Sequence, residues 1–449
     1  MSKFDFVPKP IKYSEFYPLT VFVVKWVVIC VLVGILAGSA SAFFLYSLEW
    51  AGNWRENNIW IISLLPLGGF AVGMLYYHFG REVEAGNNLI IEQIQTPKKP
   101  IQFIMAPLVL FGTIVTHFFG GSAGREGTAV QMGGALADQF TKLFRLRPRD
   151  RKILLVCGVS AGFASVFGTP LAGAIFGLEF ILIGRMRYEA LVPSFFAAII
   201  ADYVTTLWGA HHTHYAVPEL LLLDPGTLLY AIIAGVAFGF CGRLFSLSMH
   251  FCSKMFKKIK FPPLRPVLGG VIVAVAVYAI GTTKYIGLGV PVIEQSFHDQ
   301  LPPYDFLVKL AFTVVTLGAG FKGGEVTPLF FLGATLGNAL HLFIPLPMAL
   351  LAAMGFVAVF AGASNTPLAC MMMGLELFGM DAGIYIGVAC VVSYLFSGHS
   401  GIYNSQVIGS TKHIFFGREK GERLGSVAEI RKKKKKDNNS ACGSEVVNL

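Results

Sequence analysis

Long apolar stretches with little charge alternate with short polar connections along most of this chain. They lie at about 26–48, 59–77, 101–120, 153–178, 190–210, 226–242, 266–283, 307–320, 326–375 and 382–397. A helix that spans a bilayer needs about 20 apolar residues. Several stretches are that long, whereas others are short or interrupted by glycine and proline. The pattern predicts an all-α polytopic membrane protein with broken and tilted helices.

The composition supports a membrane protein. The chain is 54% apolar and 14% charged, with a mean hydropathy of +0.63, whereas soluble domains carry about 25% charged residues. Much of the net charge of +10 falls in short connections, at Lys98-Lys99, 145–152 and 254–260. In a membrane protein this clustering indicates loops on the cytoplasmic side. We therefore expect membrane lipids, and no nucleic acid, as partners.

The sequence contains an internal repeat. Residues 158–179 read GVSAGFASVFGTPLAGAIFGLE, and residues 355–376 read GFVAVFAGASNTPLACMMMGLE. Thr-Pro-Leu-Ala and Gly-Leu-Glu stand at the same positions in both. Upstream, Gly-Arg-Glu-Gly-Thr at 124–128 corresponds to Gly-Gly-Glu-Val-Thr at 323–327. Repeats of this kind are typical of secondary transporters.

The repeat suggests a domain organisation. We expect a cytoplasmic N-terminal segment at 1–17 and a membrane transport domain at 18–416. Its halves would cover about 18–210 and 220–400. Residues 417–449 form a basic tail with a run of lysines, which we expect to be disordered and cytoplasmic.

The stretch from Gly120 to Thr128 places Glu126 on a glycine-rich backbone between two apolar runs. If a helix begins at this point, its free N–H groups and its positive dipole end form an anion site. Glu126 would then be an anion of the protein itself in the place where a free anion binds. A glutamate at membrane depth is in general a functional candidate.

Glu325 holds the corresponding position in the second half. If the halves are inverted, the two loops meet near the bilayer midplane, where burial and like-charge repulsion favour binding of a proton to one carboxylate. A site that binds an anion and a proton in turn predicts an anion/proton antiporter. The alternative is that both glutamates are structural charges, Glu126 paired with Arg125 and Glu325 with Lys322.

These motifs together resemble the CLC family of anion channels and proton-coupled antiporters, up to about residue 410. The resemblance implies a homodimer with one pore per subunit, two inverted halves, and Glu126 as the gating glutamate. It also implies a set of anion-binding residues: Asn88, Gly124, Arg125, Gly127, Thr128, Val326, Thr327 and Tyr403.

The sequence departs from the chloride-selective pattern at several positions. Asn88 stands where those proteins typically have serine, Thr128 replaces a proline, and Glu325 occupies an apolar position. The glutamate that many chloride/proton exchangers use on the inner proton path is Phe180 here. Together these departures resemble the fluoride-exporting CLC-F branch, which implies fluoride/proton antiport.

Fluoride is a strongly hydrated hydrogen-bond acceptor, so it needs good donors in place of its water. The amide of Asn88 and the hydroxyls of Thr327 and Tyr403 are suitable. Asn88 could instead be a turn residue, and Tyr403 an interface anchor. Glu325 is expected on the proton pathway, either as the proton carrier or as a protonated donor to the anion.

Other functions remain open at this stage: a chloride/proton antiporter, a passive anion channel and, more remotely, an intramembrane metalloenzyme. The last would need a metal site, and the candidate cluster is His211, His212 and His214 on a polar loop without a defined carboxylate partner. No HExxH motif is present. We expect a transporter of the bacterial inner membrane with both termini in the cytoplasm, no enzymatic activity, no cofactor and no metal.

Overall fold

The computed structural model describes residues 16–210, 212, 213, 215, 217 and 224–431. Residues 1–15 of the predicted N-terminal segment, 432–449 of the predicted tail, and His211 and His214 lie outside the described residues. The first half contains eight α-helices, a short strand and two 3₁₀ helices. They are α1 (Phe16–Asn57), 3₁₀ Ile59–Leu64, α2 (Leu65–Phe79), α3 (Asn87–Gln95), α4 (Met105–Phe118), α5 (Glu126–Leu143), α6 (Pro148–Phe167), α7 (Pro170–Glu179), β1 (Leu182–Ile183), 3₁₀ Tyr188–Ala190 and α8 (Leu191–Leu207).

The second half repeats this series of helices. It contains α9 (Pro225–Phe256), α10 (Leu264–Ile280), α11 (Val290–Gln295), α12 (Asp305–Gly318), α13 (Val326–Leu340), α14 (Met348–Ser364), α15 (Pro367–Phe378), α16 (Gly383–Phe396), β2 (Val407–Ile408) and 3₁₀ Ile414–Glu419. In chain order each helix has a counterpart in the first half. Helices α5 and α13 both begin at a glutamate loop, as the sequence repeat predicts.

Four helical stretches in the described ranges are long and apolar enough, by length and composition, to cross a membrane. They are Thr20–Asn57, Ile59–Phe79, Tyr188–Leu207 and Pro225–Phe256. Seven other apolar helices are shorter, among them α13, α14 and α15. Short helices that end inside the bundle leave N–H groups at their starts without partners in the same helix.

The longest apolar stretch of the sequence, 326–375, is divided among three helices. Asn365 has a left-handed conformation, with φ of 63°, at the end of α14. Pro367 is the first residue of α15, a position that tolerates proline because no N–H is needed there. Hydropathy does not reveal the break, since all three helices are buried and apolar.

Glycines let the helices of each half pack backbone to backbone. A Cβ atom on Gly333 of α13 would overlap the carbonyl oxygen of Gly355 on α14. The corresponding pair in the first half is Gly133 on α5 and Gly158 on α6. This contact holds α5 and α13, the two helices that begin at the glutamates, against buried neighbours.

The two halves cap one another through the glutamates that end the repeated blocks. Glu179, at the end of α7, accepts hydrogen bonds from the N–H groups of Leu368 (3.2 Å) and Ala369 (2.9 Å) at the start of α15. Glu376 of α15 accepts from Leu171 (2.9 Å) and Ala172 (2.8 Å) at the start of α7. The reciprocal bonds are those of two halves related by an approximate two-fold axis.

The chain after α16 returns to the first half. Strand β2 pairs in parallel with β1, with Leu182 opposite Val407 and Ile183 opposite Ile408. The described part of the predicted tail, 417–431, packs on this region and is helical from 424 to 431, with Leu424 buried against the strand pair. This differs from the expected disorder, because the first residues of the tail bury apolar side chains and precede the lysine run.

Ionic contacts attach the same segment. Glu419 contacts His399 Nδ1 at 2.5 Å and accepts from Arg431 Nε at 2.8 Å. The backbone N–H of Lys412 donates to the other ring nitrogen of His399 at 3.2 Å. Burial lowers the pKa of His399, and the bond to Glu419 opposes that shift. The ring joins the segment to the chain just before Tyr403.

Candidate anion-binding site

The two glutamate loops pair with one another in the interior of the protein. Gly124 and Gly324 form an antiparallel bridge, with N–H···O distances of 2.6 and 2.8 Å. A Cβ atom on Gly124 would lie 2.9 Å from both Glu126 Oε2 and Thr327 Oγ1. Glycine is therefore needed for the loops to approach this closely, and each loop leads directly into a helix, α5 or α13.

The Glu126 carboxylate lies at the start of α13, in the opposite half. It is buried, with 1% of the residue exposed. Glu126 Oε2 accepts hydrogen bonds from the N–H of Thr327 at 3.0 Å and of Arg125 at 3.2 Å. The hydroxyl of Thr327 lies 2.6 Å from both carboxylate oxygens. A side-chain anion thus occupies the donors that helix starts offer to anions.

Arg125 is a weaker partner for Glu126 than Thr327 is. Its Nε lies 3.7 Å from Glu126 Oε1 and makes no hydrogen bond, although it is buried. A pair with Arg125 therefore does not account for the position of Glu126. The carboxylate is instead placed by the donors of Thr327 and by the positive ends of two helices.

Glu126 lines a narrow cavity of about 30 Å³, called here the Glu126 pocket. Its other lining residues include Arg125, Tyr215, Phe330 and Phe356. A space of this size holds only about one or two water molecules. On this side the carboxylate therefore has little water around it.

Glu325 lines a different cavity. This Glu325 cavity has a volume of about 180 Å³ and is also lined by Asn88 and Tyr403. Glu325 is half-buried, and among the described residues no ion pair of 4 Å or less joins it to Lys322. The loops meet as predicted, whereas Glu126 and Glu325 line separate cavities.

Asn88 presents its amide to the Glu325 cavity from the first turn of α3. Its Oδ1 accepts a hydrogen bond from the N–H of Ser405 at 2.9 Å. The assignment of amide oxygen and nitrogen follows from this bond, which leaves the NH₂ group as donor. Gly86, with φ of 57°, is the N-cap residue just before the helix. Asn88 therefore belongs to a helix start and not to a surface turn.

Tyr403 lines the same cavity. It is 3% exposed, and its ring meets that of Phe180 edge to face at 6.0 Å between centroids. Phe180 is fully buried, and its carbonyl accepts from Gln406 Nε2 at 2.7 Å. The position at which many chloride/proton exchangers have the inner proton glutamate is thus a packed apolar side chain here.

The remaining predicted site residues are near the loops but have different contacts. The hydroxyl of Thr128 is buried 2.7 Å from that of Thr113 on α4, and Thr128 lines neither cavity. Gly127 packs on the backbone of Gly324. Val326 is a buried first residue of α13.

Sequence reasoning missed two polar residues at this site, Gln131 and Glu84, which line the Glu325 cavity. Asn87 also lines this cavity and is buried; within the described residues its Oδ1 has no hydrogen-bond partner, and its Nδ2 faces Gly127. Gln131 is on α5, within two turns of Glu126, so helical spacing could have indicated it. The position of Glu84 depends on tertiary packing, for which the sequence contains no signal.

His212 does not extend the predicted histidine cluster into a metal site within the described ranges. Its ring packs on Gly168, and its Nε2 lies 3.8 Å from Asp202 Oδ1. Among the described residues no group of three or more histidine, cysteine or acidic side chains is placed to hold a metal ion.

Two halves of broken helices, with a buried carboxylate on paired helix starts, define a membrane protein of the anion-transport class. The chain belongs to the CLC family: the family described as "Voltage gated chloride channel" matches residues 68–398. Its members are channels and transporters rather than enzymes. The fold is the CLC fold of two inverted repeats.

Several relatives are closely similar over most of the chain. A "Chloride/fluoride channel protein" of Pseudomonas syringae pv. tomato is 54% identical, over 92% of this chain and 91% of that protein. The crystal structure of a CLC-type fluoride/proton antiporter matches with a TM-score of 0.83 and 33% identity, over 86% of this chain and 98% of the other. A slow cyanobacterial Cl⁻/H⁺ antiporter has the same fold, with a TM-score of 0.74 at 20% identity over 92% and 99%.

Proposed function

We propose that this protein exports fluoride in exchange for protons across the bacterial inner membrane. The observation that carries the proposal is the Glu126 carboxylate bound to the N–H and hydroxyl of Thr327. The similarity to a fluoride/proton antiporter and to a chloride/fluoride channel protein supports the choice of ion.

In the proposed cycle Glu126 and fluoride compete for one set of donors. Ionised Glu126 fills the site at the start of α13. Protonation removes its charge and weakens its hydrogen bonds, which are strongest to an anion. The protonated side chain then leaves, and fluoride binds the N–H and hydroxyl of Thr327 in its place. Proton uptake and anion binding are thereby linked, as exchange requires.

The donors in the Glu325 cavity suit fluoride. Asn88 and Tyr403 line the cavity together, and an amide NH₂ and a phenolic hydroxyl can both replace water around a strongly accepting anion. In this proposal fluoride passes them between solution and the Thr327 donors.

Glu325 is proposed as the proton carrier on this side of the bridge. Its carboxylate lines a cavity with room for several waters, and Phe180 offers no carboxylate at the alternative position. In the alternative role, protonated Glu325 donates a hydrogen bond to fluoride from the same position in the cavity.

We further propose that two chains form a homodimer with one pore each and with both termini in the cytoplasm. The basic connections at 145–152 and 254–260 favour this orientation. Cross-linking in native membranes would detect the dimer, and labelling of single cysteines placed in these connections would report their side.

The reversal potential of reconstituted liposomes tests the proposed function. With a fluoride gradient and an opposing pH gradient, the potential should depend on both. A potential that follows fluoride alone and ignores pH would identify a passive channel. Parallel flux assays test selectivity, and chloride moving as fast as fluoride would favour the chloride/proton antiporter.

A further inference from the structure

Lys322 lies at the Glu325 cavity, on the loop between α12 and α13. Its Nζ sits 3.9 Å from the centroid of the Tyr76 ring. Its alkyl chain packs on α4, where a Cβ atom on Gly112 would lie 2.9 Å from Lys322 Cγ. The ammonium is therefore held by an aromatic face and a close helix contact.

Lys322 has no carboxylate partner within 4 Å in the part of the chain that the structure describes. Two fully enclosed cations are compensated: Arg151 pairs with Asp138 at 2.7 Å, and Lys309 donates to the carbonyls of Tyr285 (3.1 Å) and Gly287 (2.8 Å). A cation taken out of water is costly without compensation. Lys322 is half-buried, and in the described part of the chain the Tyr76 ring, the more distant carboxylate of Glu84 and the contents of the cavity are what can compensate its charge.

The charged side chains that line the cavity determine whether an anion is attracted to it or repelled. Among its described lining residues Lys322 is the one cationic side chain, and the acidic ones are Glu84, which is exposed, and Glu325, which is half-buried. Two carboxylates alone would repel an anion from this cavity. The ammonium offsets that repulsion and supplies N–H donors.

We infer that Lys322 is an anion-binding residue of the Glu325 cavity. Its ammonium holds fluoride in this cavity before the ion reaches the Thr327 donors. This inference rests on the proposed function and extends it with a specific cation. When Glu325 is protonated, the charge of Lys322 is free to attract fluoride. When Glu325 is ionised, its carboxylate competes with the anion for the same charge. Lys322 thus connects anion entry to the proton on Glu325.

The test is the dependence of fluoride flux on fluoride concentration in proteoliposomes. Lys322→Gln removes the charge and should raise the KM for fluoride by about tenfold or more, because charge-assisted bonds to a small anion are strong. The maximal rate should change much less. Lys322→Arg should retain most of the affinity. Lys258→Gln is the matched control, since it removes one exposed positive charge outside the cavity and should leave the KM unchanged.

An unchanged KM in Lys322→Gln would overturn the inference. If the KM is unchanged and the proton-to-fluoride ratio is altered, Lys322 acts on the proton path instead of binding the anion. If Lys322→Gln does not fold, Lys322→Met, with a chain that still packs on Gly112, is measured in the same way. The KM is measured from fluoride flux alone. If the wild type moves fluoride without moving protons, antiport is contradicted, but the role of Lys322 in fluoride binding is not. A wild type that moves no fluoride would contradict both.

Discussion

Thr327 is the residue that determines where the Glu126 carboxylate lies. It supplies a backbone N–H at 3.0 Å and a hydroxyl at 2.6 Å. Both donors belong to the first turn of α13, where N–H groups have no partner in their own helix. In the proposed cycle the same donors become available to fluoride when Glu126 is protonated.

Replacing Thr327 by valine removes the hydroxyl and keeps the shape and the N–H. A hydrogen bond to a charged group contributes about 1.5–3 kcal/mol, so Thr327→Val should raise the fluoride KM by about tenfold or more. Concentration-dependent fluoride flux measures this. Thr335→Val is the control on the same helix, because the Thr335 hydroxyl bonds only within α13 in the described structure. Equal effects of the two variants would contradict the role of Thr327.

Glu325→Gln separates the two roles that remain for Glu325. Glutamine keeps N–H donors in the cavity but cannot carry a proton. If Glu325 is the proton carrier, as proposed, the variant should still move fluoride while fluoride-driven proton movement is lost. Simultaneous measurement of fluoride and pH in the same liposomes gives the ratio. Normal coupling with weakened fluoride binding would instead show that Glu325 is a donor to the anion.

The sequence could not predict the directions in which the side chains of the site point. Both halves contain glutamate followed two residues later by threonine, and sequence reasoning placed both threonines at the anion. The structure brings Thr327 to Glu126, whereas Thr128 bonds Thr113. The repeat predicts position along the chain, but the direction of each hydroxyl depends on which neighbouring helix it meets.

Helices α5 and α13 depend on glycine contacts with α6 and α14. Gly333→Ala would push a methyl group into the carbonyl of Gly355, and such overpacking costs about 1–3 kcal/mol. We expect a lower thermal unfolding temperature in detergent. Gly52→Ala is the control, since a methyl there meets nothing within 4 Å in the described structure and should be neutral or stabilising by up to about 1 kcal/mol. Equal stability of both variants would show that α13 and α14 can separate.

Helix boundaries were predictable where polar residues mark them and not elsewhere. The starts of α5 and α13 follow from glycine-rich loops that end in glutamate. The breaks inside 326–375 were hidden, because α13, α14 and α15 are all buried and apolar. The sequence repeat shows that Glu179 and Glu376 end matching blocks, but their partners, the opposite helix starts, required the tertiary structure.

In the whole molecule, the two glutamates of the paired loops line two cavities of unequal size. The Glu126 pocket has a volume of about 30 Å³, and the Glu325 cavity has a volume of about 180 Å³. The repeat in the sequence predicted that the loops meet. It could not predict that Glu126 and Glu325 line different cavities, because this depends on how each side chain leaves its loop.

In the proposed cycle Glu126 links the anion to the proton, and fluoride-driven proton movement is the direct test of that link. Liposomes that contain wild-type protein and a fluoride gradient should move protons against their own gradient. Glu126→Gln cannot exchange a proton at this position, so fluoride should still cross while proton movement falls to the level of protein-free liposomes. Proton movement in Glu126→Gln equal to that of the wild type would contradict the account.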